Sequence, residues 1–148
     1  MPLSLAAAAP SAAGFVAHES YLAPRFVEYS SYWYDIDGAI AAEQDGMALA
    51  SAKNAVWDGL SLYLLVHQVV YQKAAPGTAL RSLFRDSIDD EALQQELDAL
   101  LLQNPATHEE TAAFAEACLA FADDRLGLRS WREFYGGLST PELYGRYH

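Results

Sequence analysis

Cysteine is nearly missing from this 148-residue sequence and lysine is almost as rare. The lone Cys118 excludes an intrachain disulfide and any cysteine-built metal cage, so a reducing, cytoplasmic setting is expected. Two lysines and seven scattered arginines stand against 20 acidic residues, for a formal charge of -11. Phosphate binding wants clustered basic side chains, so no nucleic-acid partner is expected; an acidic surface favours a cationic ligand or a basic protein. Long apolar runs are also lacking. The stretch Leu60 to Tyr71 is broken by Ser61, His67 and Gln68 and falls short of the ~20 residues a membrane span requires, so no membrane insertion is expected. The opening MPLSLAAAAPSAAGF has no basic residue before Arg25 and little leucine, which argues against a secretory leader. Residues 1–17 are expected as a flexible Ala-rich tail, and 18–148 as one helical-bundle domain. Abundant alanine, with arginine over lysine, suits a high-GC bacterial genome.

Sequence signatures of bound groups are absent too: no Gly-rich phosphate loop, no G-x-S-x-G turn and no Glu-x-x-His pair of the di-iron bundles. His108-Glu109-Glu110 offers three ligand types, but adjacent helical residues point in different directions. No metal and no cofactor are expected.

What the sequence does contain is helical periodicity. Met47 to Lys73 is long enough for about seven turns. Its polar residues Ser51, Asn54, Asp58, Ser61, Gln68 and Gln72 fall on one stripe, expected to be solvated, and most of the rest is apolar or aromatic. Leu49, Ala52, Val56, Leu60, Tyr63, His67 and Val70 form a seam, so this is the expected central helix. A second heptad-like seam, Leu22, Phe26, Tyr29, Trp33, Ile36 and Ile40, marks a helix starting near Ala23, with Pro24 in its first turn and Asp45-Gly46 as its stop. The short connection predicts an antiparallel hairpin.

Beyond Ala74-Ala75-Pro76-Gly77, shorter helices follow. Leu80, Leu83 and Phe84 share one face; Asp89 caps the next helix, whose stripe is Leu93, Leu97, Leu100 and Leu101. Thr107 and Glu110 form a capping box for a helix running to about Leu126 and stopped by Gly127. On it Phe114, Cys118 and Phe121 face inward while Glu109, Glu116, Asp123 and Asp124 face water. Ser130 and Glu133 read as a second capping box. No strand alternation competes, so the fold class is all-α, a four- to five-helix bundle with two long antiparallel helices and a short aromatic C-terminal annex.

Candidate sites are few. Tyr29, Tyr32, Trp33 and Tyr34, followed by Asp35 and Asp37, are the densest aromatic stretch, able to line a ligand pocket or an interface. Tyr29 and Trp33 fit the core seam while Tyr32, Tyr34 and Asp35 fall on other faces, so all cannot converge. His67, on the central seam, could act as an acid or base with Asp35 or Asp58 and a tyrosine in a pocket between the first two helices; the commoner role is a satisfied core histidine. Cys118, among Ala and Phe, reads as a small core residue. Trp131, Phe134, Tyr135, Tyr144 and Tyr147 are more aromatics than a glycine-broken tail can bury alone, so they dock on the bundle or on another chain.

A long first helix, the Asp45-Gly46 turn and then ALASAKNAVWDGLSLYLLVHQVV resemble, in layout, the helical hairpin that opens HEPN-type bundles, over roughly residues 20 to 126. Ribonucleases of that superfamily carry an Arg followed a few residues later by His. After Arg125 and Arg129 the only His in this chain is His148, so RNA cleavage does not carry over. The resemblance implies a non-catalytic accessory role, in which the chain binds and stabilises a partner enzyme of biosynthetic or nucleotidyl-transferring type. A hetero-complex is expected ahead of a homodimer. The alternative is a small-molecule binder or enzyme using His67, a carboxylate and tyrosines.

Overall fold

The computed structural model describes residues 16–67 and 77–136, with side chains from Leu22 onward. Among them are six α-helices and no strand: α1 (Val16–Ala41), α2 (Asp45–Val66), α3 (Gly77–Ser87), α4 (Glu91–Leu101), α5 (His108–Ala120) and α6 (Arg129–Gly136). A π-helical turn, Phe121–Arg125, extends α5. The all-α bundle expected from periodicity is therefore the fold. Residues 1–15 of the expected tail 1–17, the far end of the central pattern at 68–73, and Tyr144 and Tyr147 lie outside the described residues.

Helix α1 starts at Val16, two residues inside the expected tail, which puts Pro24 in its third turn rather than its first. A proline inside a helix removes a backbone hydrogen bond and costs about 3 kcal/mol. Burial offsets that cost here. Pro24 points to solvent while its neighbours Leu22, Ala23 and Phe26 are buried in the core, and each fully buried large apolar side chain contributes about 1.5–3 kcal/mol. The rest of the seam behaves as its spacing predicts: Tyr29 and Ile36 are buried, and Trp33 and Ile40 pack against the core from its margin.

The helix does not stop at Asp45-Gly46. Glu43 adopts a left-handed backbone (φ 55°), the Gln44 N–H donates to the Ala39 carbonyl at 2.8 Å, and the Glu43 N–H donates to Ile40 at 3.0 Å. This is a Schellman turn with a glutamate at the position glycine usually fills. Asp45 and Gly46 instead form the first turn of α2.

Helix α2 is central, packing against α1, α3, α5 and the π turn. Ala52, Ala55, Val56, Leu60, Leu62, Leu64 and Val66 are all buried. Among the described residues of its expected solvated stripe only Asn54 is exposed, Ser51 and Asp58 are half-buried, and Ser61 is buried, because neighbours crowd the helix on more sides than one apolar seam implies. Gly59 lets the π turn come close: a Cβ there would sit 3.3 Å from both Ala122 Cβ and Leu126 Cδ1.

Two caps differ from expectation and one agrees. Asp90, not Asp89, accepts the Leu93 N–H at the start of α4, at 3.0 Å. Thr107 accepts the Glu110 N–H at 3.1 Å, as the capping box requires. Ser130 caps nothing: α6 begins one residue earlier, and the Arg132 N–H donates to the Leu128 carbonyl at 2.9 Å. Gly127, at φ 69°, is the expected stop.

Between α3 and α4 the bond is polar. Gln94, 6% exposed, donates its amide to the Phe84 and Ile88 carbonyls at the end of α3 and accepts from Arg81 at 2.6 Å. Arg81 also pairs with Asp98 at 2.7 Å. Every polar atom of the Gln94 side chain thus has a partner, which is what makes its burial affordable.

Candidate functional site

The described aromatics of the C-terminal annex, Trp131, Phe134 and Tyr135, dock on their own chain. Phe26 of α1 stacks with Trp131 (centroids 5.5 Å apart) and with Tyr135 (5.6 Å), and both α6 residues are fully buried. Phe134 is 37% exposed at the margin. This docking brings Arg132 over the face of Trp33, its guanidinium 4.1 Å from the ring centroid, a cation–π contact.

Beneath that contact lies the residue that periodicity misplaces. Asp123 follows Glu109 and Glu116 at seven-residue steps and so belongs on the solvated face of a regular helix, yet it is 2% exposed. The π turn explains the difference. The Leu126 N–H bonds to the Phe121 carbonyl, five residues back, and the widened turn re-aims the side chains within it. Asp123 receives Arg132 in a forked pair, Nε to Oδ1 at 2.9 Å and Nη2 to Oδ2 at 2.7 Å. Arg129 Nη1 stands 3.7 Å away, with its main bond to Asp124. The Tyr29 hydroxyl approaches Asp123 at 3.5 Å. Burial first, and the Asp123 charge second, push the Tyr29 phenol well above its ordinary value, so it stays protonated.

Helices α1 and α5 run antiparallel, with Tyr29 against Asp123 at one end and Asp45 bonded to His108 (2.6 Å) at the other. Both pack on α2 and touch each other only lightly, which leaves an open groove of about 480 Å³. Trp33, Ile36 and Ile40 form one wall and Ala112 and Leu119 the other. Asp37 and Glu116, both exposed, stand on its two rims, and Arg129 closes one end. Sequence reading identified Trp33 and, closing the same aromatic stretch, Asp37, but missed Glu116, Leu119 and Asp123. Their convergence depends on how α5 docks, which no local pattern encodes.

The other expected site residues are dispersed. The Tyr32 hydroxyl donates to Asp58 at 2.8 Å across the α1–α2 seam; burial, then the bond to Asp58, raise its pKa. His67 ends α2, where its Nδ1 donates to the Tyr63 carbonyl at 2.9 Å and its ring stacks on Tyr63 at 4.1 Å. Asp35 is exposed, and Tyr34 is 80% exposed. Thus the bonds of His67 and Asp58 run to Tyr63 and Tyr32 respectively rather than to each other. Cys118 is buried, and burial pushes its thiol up to about 12. Among the described residues no group of three or more His, Cys, Asp or Glu is placed to hold a metal ion, and no helix is long and apolar enough to cross a membrane.

A second hollow, of about 500 Å³, lies at the α3–α4 turn among Asp86, Asp89, Asp90, Glu91 and Asp98. Asp90 there is committed to its cap and Asp98 to Arg81. No family model, no curated protein and no solved structure matches this chain.

Proposed function

We propose that this chain is a non-catalytic helical accessory protein that binds and stabilises a partner enzyme in the cytoplasm, one of biosynthetic or nucleotidyl-transferring class. The observation that carries the reading is the α1–α5 groove, where Trp33, Ile40 and Leu119 stay partly exposed beside one another after the bundle has closed. Apolar side chains left together in a two-helix groove are the usual material of a protein interface, and Tyr34, on the same flank of α1 as Asp37, adds an exposed aromatic next to it. The expected acid and base groups support the same reading, since His67 and Asp58 are engaged in separate structural hydrogen bonds.

The test is affinity capture of the full chain from its native cell, with mass spectrometry and measured stoichiometry. One enzyme should co-purify in fixed ratio, in a complex burying on the order of 1,200 Å² or more. A chain that is monodisperse alone and brings down no stoichiometric protein overturns the reading.

A further inference from the structure

We infer that the α1–α5 groove receives a basic amphipathic helix contributed by the partner protein. The inference rests on the accessory reading and specifies what fills the groove.

Shape is the first consideration. Trp33 and Ile40 on α1, with Ile36 between them, stand seven positions apart, as do Ala112 and Leu119 on α5, so both walls extend for about two helical turns. A trough of that length matches a helix presenting apolar anchors at i, i+3 or i+4, and i+7.

Charge then selects the helix. Asp37 and Glu116 stand on opposite rims, both exposed, and neither has an ion-pair partner among the described residues. By contrast, Asp123 at the base is already neutralised by Arg132 and Arg129. The unanswered charge of the groove is therefore negative on both sides of an apolar floor. That is the complement of a helix with an apolar stripe flanked by Lys or Arg. A second copy of this chain fits poorly, because each copy carries a formal charge of -11 and would bring like charge to the rims. An acidic helix is disfavoured for the same reason.

The full chain, ¹⁵N-labelled, is titrated with three synthetic 18-residue peptides: an amphipathic Leu/Lys helix, a scrambled peptide of the same composition, and the matching Leu/Glu helix. The Leu/Lys helix should bind saturably, with shifts concentrated at the Trp33 indole and at residues 33–40 and 112–119. The scrambled peptide should bind at least tenfold more weakly, and the Leu/Glu helix not at all. Asp37→Lys with Glu116→Lys should weaken the Leu/Lys helix at least tenfold. Asp86→Lys with Asp89→Lys, an equal change of charge at the α3–α4 turn, should alter it less than twofold; circular dichroism checks that both variants are folded. Equal binding of the scrambled peptide, equal losses in the two variants, shifts outside the groove or no saturable binding each overturns the inference. Once a native partner is captured, undiminished capture by the Asp37→Lys/Glu116→Lys variant overturns the helix-in-groove assignment and leaves the accessory reading standing. Failure to capture any partner removes the accessory reading itself.

Discussion

Arg132 holds Asp123 through two parallel hydrogen bonds while its guanidinium lies 4.1 Å above Trp33, so one side chain from α6 fastens both the π turn and α1. Removing either charge takes its closest partner from the other; without Arg132 the Asp123 carboxylate keeps the longer approaches of Arg129 Nη1 at 3.7 Å and the Tyr29 hydroxyl at 3.5 Å. Asp123→Ala leaves Arg132 without its carboxylate, and Arg132→Ala leaves a carboxylate that is 2% exposed. Breaking a buried pair by deleting one partner costs about 3 kcal/mol or more. Urea denaturation should show a loss of that order for each single variant, and a loss for the double variant well below the sum. Additive losses would mean the pair is not coupled. Arg132→Lys should not restore full stability, since an ammonium provides neither the fork nor the planar face over Trp33.

Glu43 occupies a left-handed backbone conformation that costs a non-glycine residue about 1 kcal/mol. Its side chain is exposed. Glu43→Gly is expected to stabilise the protein by up to about 1 kcal/mol, after the greater chain entropy of glycine is subtracted. A shift of the denaturation midpoint to lower urea would refute the strain.

Gly59 faces the π turn at a distance where a methyl group is already tight, 3.3 Å from Ala122 Cβ. For Gly59→Ala the gain in helix propensity, about 1 kcal/mol, and the crowding are of similar size, so little net change is expected. Gly59→Val adds branching with no room for it and should cost about 2 kcal/mol. Thermal melts of the two variants side by side decide the matter, and a neutral Gly59→Val would show that the π turn can retreat from α2.

His108 bonds to Asp45 across the starts of α5 and α2, and this hydrogen bond, with the Asp45 charge, raises the imidazole above its ordinary value. A raised folded value fixes the direction of the pH effect. The contribution is complete below the unfolded value of about 6.5, and it disappears as pH rises through the folded value. The stability difference between the protein and His108→Gln should therefore be larger at about pH 5.5 than at about pH 9. An equal difference at both would assign no titrating role to the pair.

Cys118 is the sole thiol and its pKa is pushed up to about 12 by burial. In the folded protein it should resist a thiol-specific reagent near neutral pH, then react with one equivalent once denatured. Rapid labelling of the native state would mean that the α5 core opens readily.

The two apolar seams were legible because each obeys one helical period over many residues, and the short connection between them left an antiparallel hairpin as the only economical arrangement. Thr107 and Gly127 were legible for a related reason: a cap or a stop acts on backbone within four residues, so its chemistry is local. Glu43 was not, because nothing in its side chain announces a left-handed turn. Nor was Gln94, whose partners Arg81 and Phe84 lie on another helix and Ile88 just past its end.

By itself the sequence determined that the chain is helical, where most helices lie and which side of each is apolar, since these follow from periodicity and from residues that interact within a turn. Tertiary structure alone decided the groove and the Asp123 pair. A single π turn, pressed against Gly59 and fastened by Arg132, re-aims a carboxylate that seven-residue spacing assigns to water. The docking of α5 then brings Asp37 and Glu116, 79 positions apart in the sequence, to the two rims of one groove.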